Sequence, residues 1–141
     1  HRGSSKSYIE DFTGSIADYT KAIEIDPTNA NSYFNRAVSK DRTEDYKGAV
    51  EDYTKALEIN PDDAYTYFNR GLSTSNLEDF AGAINDYDIA IEKDPANSDF
   101  YLSRGIAKIN LDEFDGGCID LNKAKELGNV QAPEFVKEYC E

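Results

Sequence analysis

The sequence predicts an all-α fold in which antiparallel helix hairpins of equal length stack into an α-solenoid. The first observation is periodicity: Pro27, Pro61 and Pro95 are evenly spaced, and Tyr33, Tyr67 and Tyr101 keep the same step. The second is that other columns share it: Arg2, Arg36, Arg70 and Arg104, then Gly14, Gly48, Gly82 and Gly116, then Asp18, Asp52, Asp86 and Asp120. Independent columns with one period define a structural repeat. The third is that each period holds two stretches with apolar residues at three- and four-residue spacing, the pattern of an amphipathic helix. One such hairpin cannot bury its apolar side alone, whereas stacked hairpins bury it against one another.

The period divides the chain into residues 1–29, 30–63, 64–97 and 98–131, followed by a helix over 132–141. Arg2-Gly3 aligns with Arg36-Ala37, Arg70-Gly71 and Arg104-Gly105, so residues 1–29 read as a truncated unit that lacks its expected aromatic residue. More repeats or another domain are expected upstream, and the uncovered end is expected to favour self-association. In residues 64–97, Asp63 is the expected N-cap of a first helix that places Tyr67, Gly71 and Leu77 on one face. Asn29 and Asn97 hold the equivalent cap positions. A turn through Glu78 and Asp79 leads to a second helix carrying Phe80, Ala83, Ile84, Tyr87, Ala90 and Ile91, and Pro95 follows, where a proline ends the helix or enters the next turn. The recurring glycines Gly14, Gly48, Gly82 and Gly116 read as packing allowances before a small residue, not as ligand loops. At the other end Leu127-Gly128-Asn129 reads as a helix stop, with Gly128 suited to a left-handed conformation. A last helix from about Ala132 to Cys140, with Pro133 in its first turn, is expected to lie back on its predecessor as a cap.

Small residues and aromatic residues at these positions carry a family resemblance. Tyr67, Gly71, Ala83, Tyr87, Ala90 and Pro95 in the third unit, and Tyr33, Ala37, Ala49, Tyr53, Ala56 and Pro61 in the second, follow the pattern of the tetratricopeptide repeat family. The step between columns also resembles that family's period of about 34 residues. The fourth unit keeps Tyr101, Gly105 and Ala124 but has Gly117, Leu121 and Asn129 where the pattern has Ala, an aromatic and Pro. The chain also departs from it with Arg36, Arg70 and Arg104 where the family usually has leucine, and with Lys40, Thr74 and Lys108 where tyrosine is frequent. The resemblance implies a right-handed solenoid whose first helices line a concave face that receives ligand peptides. Carried over by column, that peptide groove comprises Asn31, Phe34, Asn35, Val38, Asp41 and Arg42, then Tyr65, Phe68, Asn69, Leu72, Ser75 and Asn76, then Asp99, Leu102, Ser103, Ile106 and Asn110. The truncated unit adds Ser4, Ser7 and Tyr8. This lining is apolar with amide and hydroxyl groups, which suits a peptide backbone, although its apolar members equally suit packing between neighbouring first helices. Chaperone-binding members of the family grip an acidic carboxy-terminal tail with lysines, an arginine and asparagines. Asn35 and Asn69 match the asparagine column, but Phe34, Phe68, Tyr65 or Asp99 stand at the basic places, so the resemblance does not extend to that clamp.

Each arginine is followed by an aspartate sixteen residues later, which a hairpin places at matching height on its two helices. The spacing predicts structural salt bridges Arg2–Asp18, Arg36–Asp52, Arg70–Asp86 and Arg104–Asp120. The alternative is an arginine row aimed at acidic ligands. Cys118 and Cys140 lie equally far along the chain from Asn129, one before it and one after. Helices pivoting there bring them together, as a disulfide or as two small buried thiols.

Composition narrows the function. Net charge is −13, from 28 acidic and 15 basic residues, which opposes binding to nucleic-acid phosphates. The excess acid reads as a solvated outer face, or alternatively as a match for a basic partner. No stretch has the apolar length to cross a bilayer. One histidine, His1, and two separated cysteines do not make a four-ligand metal site or a cysteine–histidine pair. No nucleophile–base pair or phosphate-cradling loop is present, so no catalytic residue, cofactor or metal is expected. The expected function is a non-catalytic scaffold or adaptor that binds a peptide segment of another protein. The alternative is a structural or self-assembly module that associates through helix ends and outer faces.

Overall fold

Helix boundaries in the structure, a computed structural model, repeat the sequence period. It describes the backbone of residues 2–141 and the side chains of residues 11–141. Among the described residues there are eight α-helices and no strand. They are α1 (Arg2–Ile25), α2 (Ala30–Arg42), α3 (Tyr46–Ile59), α4 (Ala64–Asn76), α5 (Phe80–Lys93), α6 (Ser98–Asn110), α7 (Phe114–Glu126) and α8 (Ala132–Cys140). The helices α2, α4, α6 and α8 start one period apart, and so do the second helices α3, α5 and α7. The chain divides into two units, His1–Asp62 and Asp63–Glu141.

Each first helix from α2 to α6 starts at a side-chain cap. Asn29 accepts from the backbone N–H groups of Asn31 and Ser32, Asp63 from that of Tyr65, and Asn97 from that of Asp99. The second helices α3 and α5 are capped by Asp45 and Asp79, which accept from Gly48 and Gly82. Here the structure refines the role expected of these two glycines. A Cβ at either would overlap the capping carboxylate, so the missing side chain makes room for the cap.

Each hairpin turns through an acidic residue in the left-handed region: Glu44 at φ 62°, Glu78 at 64° and Asp112 at 62°. The next residue's N–H bonds back to the carbonyl of Lys40, Thr74 or Lys108, which closes a Schellman turn. Glycine is the low-strain choice at this position, so each turn carries a conformational cost that the hairpin packing sustains.

In the first unit, Ala37, Ala49 and Tyr53 form the core, with Phe34 and Val38 against it. In the second, Ala83, Tyr87 and Ala107 are packed by Phe68, Leu72, Phe80 and Ile84. A neighbouring cluster of Leu102, Leu121, Ala124, Ala132 and Val136 joins α6, α7 and α8. The helices of a hairpin touch closely because the first bears a small residue. A Cβ on Gly71 would lie 2.6 Å from the Tyr87 ring, and one on Gly105 would lie 3.0 Å from the Gly117 carbonyl oxygen.

The opening unit differs from the sequence expectation. Instead of a partial first helix, a turn and a second helix, α1 is one continuous helix of 24 residues. Its Glu10 belongs to the column of Glu44, Glu78 and Asp112 but lies within the helix. Arg2 and Asp18 then stand about 24 Å apart along one helix axis, which a hairpin would have folded back. The side chains of Arg2, Ser4, Ser7 and Tyr8 lie outside the described residues, and Asp18 is exposed.

Candidate functional site

The first helices are fixed to their second helices by the arginine–aspartate columns. Arg36 donates from Nε and Nη2 to the two carboxylate oxygens of Asp52 at 2.8 and 2.7 Å. Arg70 does the same to Asp86 at 2.9 and 2.7 Å, and Arg104 to Asp120 at 2.8 and 2.7 Å. These are two-pronged, charge-assisted pairs on buried carboxylates. Lys40 and Lys108 add an ammonium to Asp52 and Asp120 at 2.9 and 3.0 Å. The third nitrogen of Arg36 reaches Thr20 of α1, and that of Arg104 reaches Asp88 of α5. Each guanidinium also lies 5.6–5.8 Å from the ring of the tyrosine three residues before it, Tyr33, Tyr67 or Tyr101. Hydrogen bonds donated to Asp52, Asp86 and Asp120 raise the pKa of Arg36, Arg70 and Arg104 against the opposing effect of burial. This geometry ties helix to helix, and among the described residues it leaves no row of arginines open to an acidic ligand.

The residues of the expected groove column differ in how far the packing leaves them open. On α2, Asn31, Asn35 and Arg42 are exposed, while Phe34 and Val38 are half-buried. Phe34 meets Tyr53 edge-on at 5.7 Å, and Asp41 accepts a 2.7 Å bond from the Tyr53 hydroxyl. On α4, Tyr65 is 55% exposed and Asn76 is exposed, with Phe68, Asn69, Leu72 and Ser75 half-buried. The Tyr65 ring packs edge-on to Phe100 at 5.7 Å, and its hydroxyl accepts from Asn97 at 3.1 Å. On α6, Asp99 and Asn110 are exposed, and Ser103 and Ile106 are half-buried. Asn76 and Asn110 each donate one amide N–H to the carbonyl four residues back, that of Leu72 or Ile106. Their amide oxygens remain as acceptors beside those apolar side chains.

One residue of the groove column is covered, and another takes the packing role that the sequence left open. Leu102 is only 6% exposed and belongs to the cluster under α8, so it has little surface for a ligand. Phe68 packs against Phe100 with ring centroids 4.8 Å apart, which makes it part of the contact between α4 and α6. Phe100 itself is fully buried, and sequence reasoning missed it. It breaks a column of small hydroxyl residues, Ser32 and Thr66, and that break was the available signal. Asn129 does more than mark a helix stop: its side chain donates to Asp99 at 3.0 Å and accepts from the N–H groups of Gln131 and Ala132, starting α8. Cys118 of α7 and Cys140 of α8 form a disulfide.

A family model described as TPR repeat matches residues 9–40 and 43–75, and one described as tetratricopeptide repeat matches residues 68–116. The chain belongs to the tetratricopeptide repeat family. Among solved structures, MamA is similar with a TM-score of 0.83 and 21% identity, over 97% of this chain and 78% of that one. The Arabidopsis OM64 TPR domain gives 0.76 and 26%, over 78% of this chain and 93% of that one. The first TPR of Spaghetti (RPAP3), bound to the HSP90 peptide SRMEEVD, gives 0.75 and 22%, over 78% and 89%. No curated protein sequence matches the chain. The fold is thus the all-α tetratricopeptide solenoid, which is generally a non-catalytic scaffold, and the chain is a protein-interaction module in that general sense. Among the described residues, no helix is long and apolar enough to cross a membrane.

Proposed function

We propose that the tetratricopeptide hairpins of this chain hold a peptide segment of a partner protein on the surface lined by Leu72 and Asn76 of α4 and by Ile106 and Asn110 of α6. One observation carries the reading. Leu72 and Ile106 hold the same column of adjacent first helices, are half-buried, and are each flanked by an asparagine with an uncommitted amide oxygen. Apolar side chains of a peptide gain from covering the pair, and its backbone N–H groups meet the amide acceptors. Tyr65 and Asn69 extend the surface toward the start of α4, and Ser103 lies before Ile106 along α6. On α2 the matching side chains are Asn31, Asn35, Val38 and Arg42, which offer the same mixture within the first unit.

The peptide's charge follows from what stands near these side chains. In the Spaghetti (RPAP3) structure the bound peptide is the acidic segment SRMEEVD. Here Tyr65, Phe68 and Asp99 occupy the places where the clamp for such a tail has basic groups. A second carboxylate beside Asp99 would be repelled, so the segment is neutral or basic.

Panning a display library of random dodecapeptides against the full chain tests the proposal. Selected peptides are expected to lose at least about tenfold in affinity for Ile106→Glu and Asn69→Arg, while both variants keep the parent circular dichroism spectrum. Peptides that bind the parent and both folded variants equally would exclude this surface.

A further inference from the structure

We propose that the Cys118–Cys140 disulfide is a latch: exchange with a dithiol releases α8 from the apolar end of the α6–α7 hairpin. The inference goes beyond peptide binding and does not rest on it.

The phase of α8 is the starting point. It begins at Ala132, one full period after α6 begins at Ser98, and Phe135 continues the column of Tyr33, Tyr67 and Tyr101. By position α8 is therefore a further first helix. Yet the two columns that hold a first helix in its hairpin have changed. Arg36, Arg70 and Arg104 are followed by Glu138, and Ala37, Gly71 and Gly105 by Tyr139. Glu138 cannot make the fork to a second-helix aspartate. Tyr139 fills the place where even a Cβ on Gly71 would meet a second-helix ring at 2.6 Å. A partner helix of the same pattern cannot grip α8, so its attachment depends on the face it covers.

That attachment is slight apart from the disulfide. Within α8, only Ala132 and Val136 are buried. Phe135 and Cys140 pack more loosely on the same cluster, and Asn129 caps the start. A helix this short is not stable by itself in water. Across α2 to α7 the columns of both cysteines are otherwise aliphatic. Cys140 follows Val38, Leu72 and Ile106, and Cys118 follows Val50 and Ile84. Aliphatic side chains there would hold α8 whatever the redox state, whereas a disulfide makes its attachment conditional on remaining oxidised.

The bond is open to a reagent. Both cysteines are half-buried, and Cys118 lines an open pocket of about 790 Å³ with Ile119, Asn122 and Lys123. In the exchange, one thiolate of a dithiol attacks a cysteine sulfur, forms a mixed disulfide and expels the other cysteine as thiolate. The second thiol of the reagent then displaces the attached cysteine and closes the reagent's own disulfide. Two electrons and two protons pass to Cys118 and Cys140, and the dithiol is oxidised. Departure of α8 uncovers Leu102, Leu121 and Ala124.

Hydrogen exchange followed by mass spectrometry on the full chain tests this, with the oxidised protein compared with protein in millimolar dithiothreitol. Alkylation counts the freed thiols. Exchange in α8 is expected to accelerate about tenfold or more on reduction, with α2 to α5 unchanged. The double variant Cys118→Ile/Cys140→Ile, which restores the Ile84 and Ile106 pattern, is expected to protect α8 with or without reductant. The latch is refuted if α8 stays protected with both thiols alkylatable, or if the bond resists dithiothreitol in the folded protein. It is equally refuted if the whole chain loses protection together, since the bond would then be a general stabiliser.

Discussion

Replacing Asp120 with alanine removes the carboxylate on which Arg104 and Lys108 converge. Asp120 is 2% exposed and accepts two bonds from Arg104, at 2.8 and 2.7 Å, and one ion-pair contact from Lys108 at 3.0 Å. Hydrogen bonds to charged groups contribute about 1.5–3 kcal/mol each, and removing one partner of a buried pair costs about 3–5 kcal/mol. Two features lower that figure here. Arg104 keeps Asp88 at 2.9 Å, and its side chain is 19% exposed, so water reaches the stranded cation. The net loss is therefore about 3 kcal/mol, at the low end of that range. With a urea m-value of about 2 kcal/mol/M, the midpoint followed by circular dichroism should fall by about 1.5 M. Glu58→Ala, which breaks the Lys55–Glu58 pair with both side chains about 60% exposed, should change it by less than about 0.3 M. Arg104→Met/Asp120→Leu should recover part of the loss, because Arg104 is no longer left without its carboxylate, whereas Lys108 still loses its contact with Asp120. A midpoint for Asp120→Ala that matches the Glu58→Ala control would refute the assignment of these pairs as the ties between helices.

Gly71→Ala and Gly14→Ala should act in opposite directions. Alanine at 71 drives a Cβ into the Tyr87 ring, which is 1% exposed and has nowhere to move, so thermal denaturation should show a loss of about 1–2 kcal/mol. At 14 no atom lies within 4 Å, and better helix propensity should add up to about 1 kcal/mol. Alkaline stability follows from the buried tyrosines. Burial raises the pKa of Tyr53 and Tyr87 above their ordinary 10.0, so they stay neutral when folded but ionise once unfolded. Their contribution is intact below pH 10 and declines as pH rises beyond it, so urea midpoints should fall above about pH 10. Tyr87→Phe should flatten that decline; an unchanged slope would contradict it.

The sequence carried the fold because one spacing controls several physical requirements together. Asparagine or aspartate caps of the first helices, small residues at helix contacts and arginine–aspartate forks each recur once per period, so the caps Asn29, Asp63 and Asn97 could be named from the sequence. Periodicity gives phase, but not what covers a side chain. That is why Leu102, in the column of Phe34 and Phe68, reads as open in the sequence when it lies beneath α8. It is also why Phe100 is hard to find, since its column holds Ser32 and Thr66 in the preceding hairpins. In α1 the column logic predicts a turn at Glu10, and the backbone runs straight through as helix. A left-handed acidic residue is costly, and the turns at Glu44, Glu78 and Asp112 join two helices packed on one another. The candidate binding surface was legible as a set of positions, but which members face water and which hold neighbouring helices together depended on packing.

Amide chemical shifts of the full chain, recorded by NMR while a peptide selected on it is titrated in, test most directly where a partner segment lies. The account predicts the largest shifts at Asn69, Leu72 and Asn76 of α4 and at Ser103, Ile106 and Asn110 of α6. Shifts concentrated instead on the exposed side of α5 and α7, at Asn85, Asp88, Ile119 and Asn122, would contradict it.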